Sequence, residues 1–143
     1  MKIRSSAEGV RRQATSCAWL LAATIAGSLL APAAQAEGNA AMGRTLYERR
    51  CLGCHGDPNT ANAQGVPNAQ GPSLVGVVGR KAGTAGGGAT SRALSESGIL
   101  WDEATLQQFL AAPSDTVHGT IMPVGTARPQ DREDLIAYLK TLQ

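Results

Sequence analysis

Five consecutive residues, Cys51-Leu52-Gly53-Cys54-His55, restrict the fold of this chain more than any other segment does. They place two thiols and an imidazole within little more than one helical turn of backbone. Such a set of side chains at this spacing is typical of a segment that holds one bound group. The rest of the chain must therefore fold so that all three side chains reach a common site.

Three kinds of site fit a Cys-x-x-Cys-His segment. In haem attachment, each thiol forms a thioether with one vinyl group of the porphyrin, and the adjacent imidazole binds the iron as proximal ligand. A structural zinc site needs four ligands, so His118 would have to join Cys51, Cys54 and His55, but adjacent Cys and His residues crowd one metal ion. A thioredoxin-like dithiol expects a strand–helix setting, which this sequence lacks. The pattern favours covalent haem, with zinc and dithiol chemistry as alternatives.

The first thirty-six residues have the three parts of a secretory signal peptide. A basic start is followed by the apolar run Cys17–Leu30 and by Ala34-Gln35-Ala36, a small-x-small pattern that signal peptidase recognises. We therefore predict cleavage after Ala36, export to a periplasm or an equivalent space, and no membrane anchor after cleavage. An uncleaved anchor is the alternative. The predicted organisation is a signal peptide over residues 1–36 and one working domain over residues 37–143.

Composition limits the partners of the predicted domain. Residues 37–143 carry nine basic and ten acidic side chains, which gives a formal net charge of −1. Because a nucleic-acid-binding protein usually has a clear basic stripe, this balance excludes nucleic acid as a partner. Aromatic residues make up only 3% of the chain, and apolar positions are few for a domain of this size. A large apolar cofactor in the middle of the domain would make up that deficit.

The spacing of apolar residues predicts an all-α domain of short helices and long loops. We predict helices from about Asn39 to Arg50, over Ser91–Ser97, from Glu103 to a stop at Pro113, and from Pro129 through Leu142. Residues 56–72 and 81–90 are rich in loop-forming residues such as Gly, and we predict that they form the long loops. No segment has the alternation that a strand requires.

A haem iron bound by His55 needs a sixth ligand, for which Met42, His118 and Met122 compete. Met42 lies on the helix that leads into the motif, where a packed or exposed helix residue is the better interpretation. Met122 lies far downstream in the loop Gly119-Thr120-Ile121-Met122-Pro123, which is long enough to reach the other haem face. We predict Met122 as the ligand, because a thioether in such a loop is a known axial donor. His118 remains the alternative.

Beyond the motif, residues 43–142 resemble class I cytochrome c, the mitochondrial and bacterial electron-carrier family. The likeness rests on Gly43 and Tyr47 in the first helix and on Leu135 and Tyr138 near the C-terminus. Four short segments add to it: Gly71-Pro72-Ser73-Leu74, Gly79-Arg80-Lys81, Gly98-Ile99-Leu100-Trp101 and Gly119-Thr120-Ile121-Met122. The resemblance implies an all-α cytochrome c fold, in which short helices and long loops wrap around one covalent haem c.

The resemblance also implies roles for single residues. Cys51 and Cys54 would hold the haem, and His55 and Met122 would ligate its iron. The carbonyl of Pro72 would accept a hydrogen bond from the His55 ring N–H, which fixes the tautomer of the imidazole. The remaining implied contacts are from Arg80 and Trp101, each of which would bind a haem propionate.

Two positions depart from the family pattern near the predicted haem. Phe109 stands where many members carry a Tyr that hydrogen-bonds the methionine sulfur. Gly87-Gly88-Ala89-Thr90 replaces an aromatic-rich loop with a propionate-binding Tyr, which leaves Thr90 to donate one hydrogen bond.

The resemblance implies an electron-transfer protein rather than an enzyme, namely a soluble periplasmic carrier, monomeric or part of a larger oxidoreductase. The lysines that mitochondrial members use for docking are largely absent, so redox partners are expected to dock transiently on an apolar rim formed by Ile121, Pro123 and Val124. A haem enzyme or sensor of peroxide or gases, with a labile sixth ligand, is the remaining alternative.

Overall fold

The computed structural model describes residues 37–60, 70–86 and 89–143. The predicted signal peptide, part of the first long loop and the pair Gly87-Gly88 lie outside the described residues. Within them, six helices follow one another: α1 (Ala40–Arg50), α2 (Leu52–His55), α3 (Arg92–Glu96), α4 (Glu103–Ala111), α5 (Pro113–Thr116) and α6 (Pro129–Leu139). The described part of the chain has no strand, and its one isolated bridge pairs Lys81 with Leu100. The predicted all-α class is confirmed.

Polar side chains at the helix starts explain where the helices begin. The side chain of Asn39 accepts hydrogen bonds from two backbone N–H groups of the first turn of α1. Ser91 caps α3 in the same way. Asp102 and Thr105 form a reciprocal capping box at α4. Such caps satisfy backbone donors that have no partner inside the helix, so three of the predicted starts follow from single residues.

One predicted helix end was confirmed and another was wrong. Pro113 ends α4 as expected, but it also occupies the first position of α5, because proline has no N–H to lose at that place. The C-terminal helix ends at Leu139, with Lys140 as its C-cap, rather than continuing to Leu142. Leu142 is nevertheless buried, because the chain turns back onto the core after the helix ends.

The contact between α1 and α6 is the most extensive between any two helices of the described chain. A Cβ atom on Gly43 would overlap the carbonyl of Asp134, so only glycine allows the two backbones to come this close. The rings of Tyr47 and Tyr138 meet edge to face at 5.4 Å across the same contact. Asp134 also accepts a hydrogen bond from the backbone N–H of Asn39 at 2.7 Å. The two terminal helices therefore meet at residues that carry the family resemblance, Gly43, Tyr47 and Tyr138.

The buried core lies along α4 and α6 and continues to Tyr47 of α1. Tyr47, Leu135 and Ile136 are the large side chains that are almost completely buried. Among the described helices, none is both long enough and apolar enough to cross a membrane. Because Tyr47 of α1 is buried in this core, the α1–α6 contact fixes the end of α1, which is where the Cys-x-x-Cys-His segment begins.

We predict that Gly43→Ala destabilises the domain, although alanine is favoured over glycine in a helix by about 1 kcal/mol. The added methyl has no free space, and forcing it into the contact costs roughly 1–3 kcal/mol or more. Gly53→Ala is the matched control, because Gly53 is also helical and nothing lies within 4 Å of its Cβ position. Guanidinium chloride unfolding of both haem-loaded variants measures the difference. Equal stability of the two variants would contradict the close approach at Gly43.

Candidate cofactor site

One cavity collects the residues that the sequence singled out for a cofactor. It lies between the end of α1, the segment from Gln70 to Thr90, α4, and the segment that joins α5 to α6. All nine predicted site residues line it: Cys51, Cys54, His55, Pro72, Arg80, Thr90, Trp101, Phe109 and Met122. These residues are separated by up to seventy-one positions in the chain, so the fold brings them together.

The two cysteines enter the cavity from the junction of α1 and α2. Cys51 is the residue between the two helices, and Cys54 lies one turn further on. Both are free thiols. Burial raises the pKa of the Cys51 thiol to about 11, and the Sγ atom of Cys54 lies 3.4 Å from the side-chain oxygen of Gln70. The pair is available for two separate covalent bonds to a group in the cavity.

His55 is held by the loop that crosses in front of it. Its Nδ1–H donates to the carbonyl of Pro72 at 2.7 Å, and the backbone N–H of Gly71 donates to the carbonyl of Cys54 at 2.9 Å. A Cβ atom on Gly71 would lie 2.6 Å from the imidazole ring, so glycine is required there. Burial lowers the pKa of His55, which keeps the ring neutral near pH 7. The ring's other nitrogen, Nε2, is therefore free to act as an electron-pair donor.

Met122 belongs to the segment between α5 and α6, and it is half-buried in the cavity wall. Its backbone N–H donates to the hydroxyl of Thr120 at 3.3 Å. Phe109 of α4 lines the same cavity and packs against Trp101 with ring centroids 4.9 Å apart. His118, the competing ligand, is exposed and is not part of the cavity wall. Of Met122 and His118, only Met122 reaches the cavity.

Three of the polar residues in the cavity wall are those predicted to meet a charged group: Arg80, Thr90 and Trp101. Arg80 is half-buried, its pKa is lowered by burial, and no carboxylate of the described residues pairs with it. The hydroxyl of Thr90 is buried, and among the described residues it has no hydrogen-bond partner. Trp101 is buried in the wall beside them. A half-buried cation without a carboxylate and a buried hydroxyl without a hydrogen-bond partner would both be stabilised by an anionic group in the cavity.

This donor set fits a covalent haem. Two unpaired thiols, a neutral imidazole with one free nitrogen and a thioether meet in a cavity whose other walls are mostly aliphatic or aromatic. The unpaired charge of Arg80 and the hydroxyl of Thr90 match the propionates of such a group. The zinc alternative lacks a comparable set, because the described residues hold no group of three or more His, Cys, Asp and Glu side chains placed for a metal ion.

The structure adds contacts that sequence reasoning missed. The hydroxyl of Tyr47 donates to the carbonyl of Gly56 at 2.8 Å, which ties α1 to the residue after His55. Arg50 lines the cavity, and its guanidinium donates to the carbonyl of Gly125 at 2.7 Å. Leu94 of α3 contributes an apolar side chain to the wall. No local pattern marks these contacts, because each joins parts of the chain that are distant in sequence or depends on the helix orientation.

Comparison with known proteins gives one consistent result. The family profile described as cytochrome c matches residues 40–143. A cytochrome c of Trypanosoma brucei brucei is 45% identical over 86 residues, which cover 59% of this chain and 92% of that protein. A cytochrome c of Euglena viridis is 41% identical over 107 residues, or 74% of this chain and 99% of that protein. The solved structure of cytochrome cH from Methylobacterium extorquens is 44% identical, covers 73% of this chain and 99% of its own, and superposes with a TM-score of 0.62.

Proposed function

Because this chain belongs to the cytochrome c family, we propose that it carries single electrons through one haem c ligated by His55 and Met122. The observation that carries the proposal is the meeting of Cys51, Cys54, His55 and Met122 in one cavity. When bound, the haem supplies an iron centre that gains and loses one electron. No residue of the site is required to make or break a bond of a substrate.

The proximal side holds its ligand rigidly. The hydrogen bond from His55 to the Pro72 carbonyl orients the ring and makes Nε2 a stronger donor. The two thioethers would fix the porphyrin edge beside it, so the imidazole and the ring cannot separate when the charge of the centre changes. A ligand set that moves little lowers the structural cost of each electron transfer.

The distal side is apolar. Phe109 has no hydroxyl, so it offers no hydrogen bond to the sulfur of Met122, and Leu94, Leu106 and Leu110 add further apolar wall. Such surroundings exclude water and disfavour extra charge at the iron. Together with the thioether ligand, they favour the ferrous state and raise the reduction potential relative to a second imidazole.

The propionates are assigned to the polar end of the cavity. Arg80 supplies a positive charge, and Thr90 and the Trp101 indole supply neutral donors. Burying a carboxylate without such partners would be costly, so these three residues permit the haem to sit deep in the domain. The hydroxyl of Thr90 takes the place of the tyrosine expected in the family.

Electrons are proposed to enter and leave at the cavity mouth. Ile121 and Val124 are exposed there, at 57% and 39%, and they line the same cavity as Met122. With nine basic and ten acidic residues in 37–143, long-range steering is weak, so brief apolar contact with a redox protein is the expected encounter. The exposed apolar rim suits a fixed subunit of a periplasmic oxidoreductase as well as a free carrier, and co-purification from the native host separates these two cases.

The first prediction concerns the sixth ligand. The oxidised protein is expected to show the weak near-infrared band of methionine-to-iron charge transfer, and Met122→Ala is expected to abolish it and to lower the reduction potential. Met42→Ala is the matched control, because Met42 is exposed on α1 and outside the cavity. An absent band in the unmodified protein would reject Met122. Loss of haem ligation in His118→Ala would then identify His118, and peroxide or gas binding would identify an open iron.

A second prediction concerns the docking rim. Electron self-exchange between ferrous and ferric copies, measured by NMR line broadening at low salt, is expected to slow roughly threefold or more in Ile121→Lys. The added like charges would meet at the contact, and salt should restore the rate. Met42→Lys adds the same charge at a position with similar exposure but away from the cavity, so its rate should change little. Equal slowing in both variants would place the contact elsewhere.

A third prediction concerns processing. Expressed with a haem-maturation system in a bacterial host, the protein recovered from the periplasm is expected to have the intact mass of residues 37–143 plus one haem. Ala36→Phe places a large side chain at the position where signal peptidase requires a small one, so it should block or shift cleavage. Gln35→Leu changes the neighbouring position, which is not read, and should leave the mass at that of the Glu37 product apart from haem. An uncleaved product from the unmodified chain would contradict the assignment.

A further inference from the structure

Arg80 makes two backbone contacts that a propionate ligand would not need. One terminal nitrogen, Nη2, donates to the carbonyl of Ser73 at 2.8 Å, and the other, Nη1, donates to the carbonyl of Val75 at 2.7 Å. The planar guanidinium therefore spans the start of the loop that follows Pro72. Both bonds are short and charge-assisted, a class stronger than hydrogen bonds between neutral groups. The side chain thus holds a turn of backbone as well as lining the cavity.

The turn held by Arg80 is continuous with the segment that holds His55. Gly71 and Pro72 contact the imidazole directly, through the close approach at Gly71 and the hydrogen bond to the Pro72 carbonyl. Ser73 follows at once, and its own carbonyl is the one that Arg80 binds. The acceptor of the His55 bond and the nearer anchor of Arg80 are therefore carbonyls of neighbouring residues.

The backbone on either side of Pro72 is anchored differently. Gly71 donates to the carbonyl of Cys54 at 2.9 Å, on the side of the motif. On the other side, the backbone N–H of Ser73 meets the carbonyl of Gly86 at a long 3.4 Å, and the hydroxyl of Ser73 accepts from Val75 at 3.3 Å. The two bonds from Arg80 are shorter than both of these, at 2.7 and 2.8 Å.

We infer that Arg80 is a positioning residue for His55, acting through the carbonyls of Ser73 and Val75 to hold the Pro72 acceptor against the imidazole. The inference rests on the proposed function only in that His55 is taken as the proximal ligand. It assigns Arg80 a second role besides charge compensation of a propionate. A guanidinium has five N–H donors, so the two backbone bonds leave three for the cavity.

The two roles predict different results for a substitution that keeps the charge. Lysine retains the positive charge but lacks the planar fork that binds two carbonyls at once. If Arg80 serves only as a charge, Arg80→Lys should behave like the unmodified protein. If Arg80 positions the loop, Arg80→Lys should loosen the bond between His55 and Pro72. The imidazole would then be a weaker donor, and the reduction potential would rise.

The experiment measures solvent exchange of the His55 Nδ1–H by NMR in the ferrous, haem-loaded protein. We expect exchange to be roughly five- to tenfold faster in Arg80→Lys, as befits the loss of about one hydrogen bond's net free energy. Arg80→Gln, which loses both fork and charge, should show a similar acceleration. Its potential should be lower than that of Arg80→Lys, because removing a cation favours the ferric centre. Unchanged exchange in Arg80→Lys would overturn the inference.

Ile136→Val controls for general destabilisation. Ile136 is almost completely buried in α6 and does not line the cavity, so its truncation lowers stability by about 0.5–1.5 kcal/mol without touching the loop. At matched free energy of unfolding, its His55 ring proton should exchange more slowly than that of Arg80→Lys. Equal acceleration in the two variants would show that the proton reports only global stability, and would count against the positioning role.

A measurement on the unmodified protein applies even if the Arg80 variants do not mature. The guanidinium protons of Arg80 and the ring proton of His55 should then exchange at comparable rates, because one opening of the loop exposes both. Arg80 protons that exchange far faster, while the His55 proton stays protected, would overturn the inference. If the unmodified protein carries no haem at all, the proposed function fails instead, so the two failures are distinguishable.

Discussion

The hydrogen bond from the His55 ring to the Pro72 carbonyl is the contact on which the geometry of the site depends. It joins the short helix that carries the cysteines to the loop that forms the next part of the cavity wall. Without it, a buried imidazole N–H would lack an acceptor, and the ring would have no preferred orientation. Gly71 permits this bond, because any larger residue there would strike the ring. Gly71 and the Pro72 carbonyl thus orient the His55 ring together.

The contact between α1 and α6 positions the segment that carries His55. Gly43 lets the helices meet closely, and Cys51 follows one residue after the end of α1, so the crossing fixes where the motif begins. Leu135 and Leu139 of α6 pack in the core and also line the cavity. These two side chains therefore join the core to the cavity wall. The composition predicted a thin core. A large apolar cofactor in the cavity would supply the apolar contacts that such a core lacks.

Local features of the sequence were enough to predict the starts of α1, α3 and α4, because a helix cap acts over a few positions, whereas most of the predicted site residues came from the family resemblance. Asn39, Ser91 and Asp102 cap helices in their own vicinity, and the cysteine motif needs only its own spacing. The C-terminal end of α6 was misplaced, because Leu142 keeps the apolar spacing of a helix after the chain has left it. The hydrogen bond from Tyr47 to Gly56 was missed for a different reason. A phenolic hydroxyl finds its acceptor through the packing of two elements, which a linear pattern does not encode.

Arg80 shows how a charge can be half-buried although no carboxylate of the described residues pairs with it. Two backbone carbonyls take part of its hydrogen-bonding capacity, but carbonyl dipoles do not neutralise a full positive charge. Burial accordingly lowers the pKa of the guanidinium, although arginine remains protonated at any ordinary pH. An anion in the cavity would relieve the remaining imbalance. The charge that is proposed to meet a propionate and the fork that is inferred to hold the Pro72 loop therefore belong to the same group.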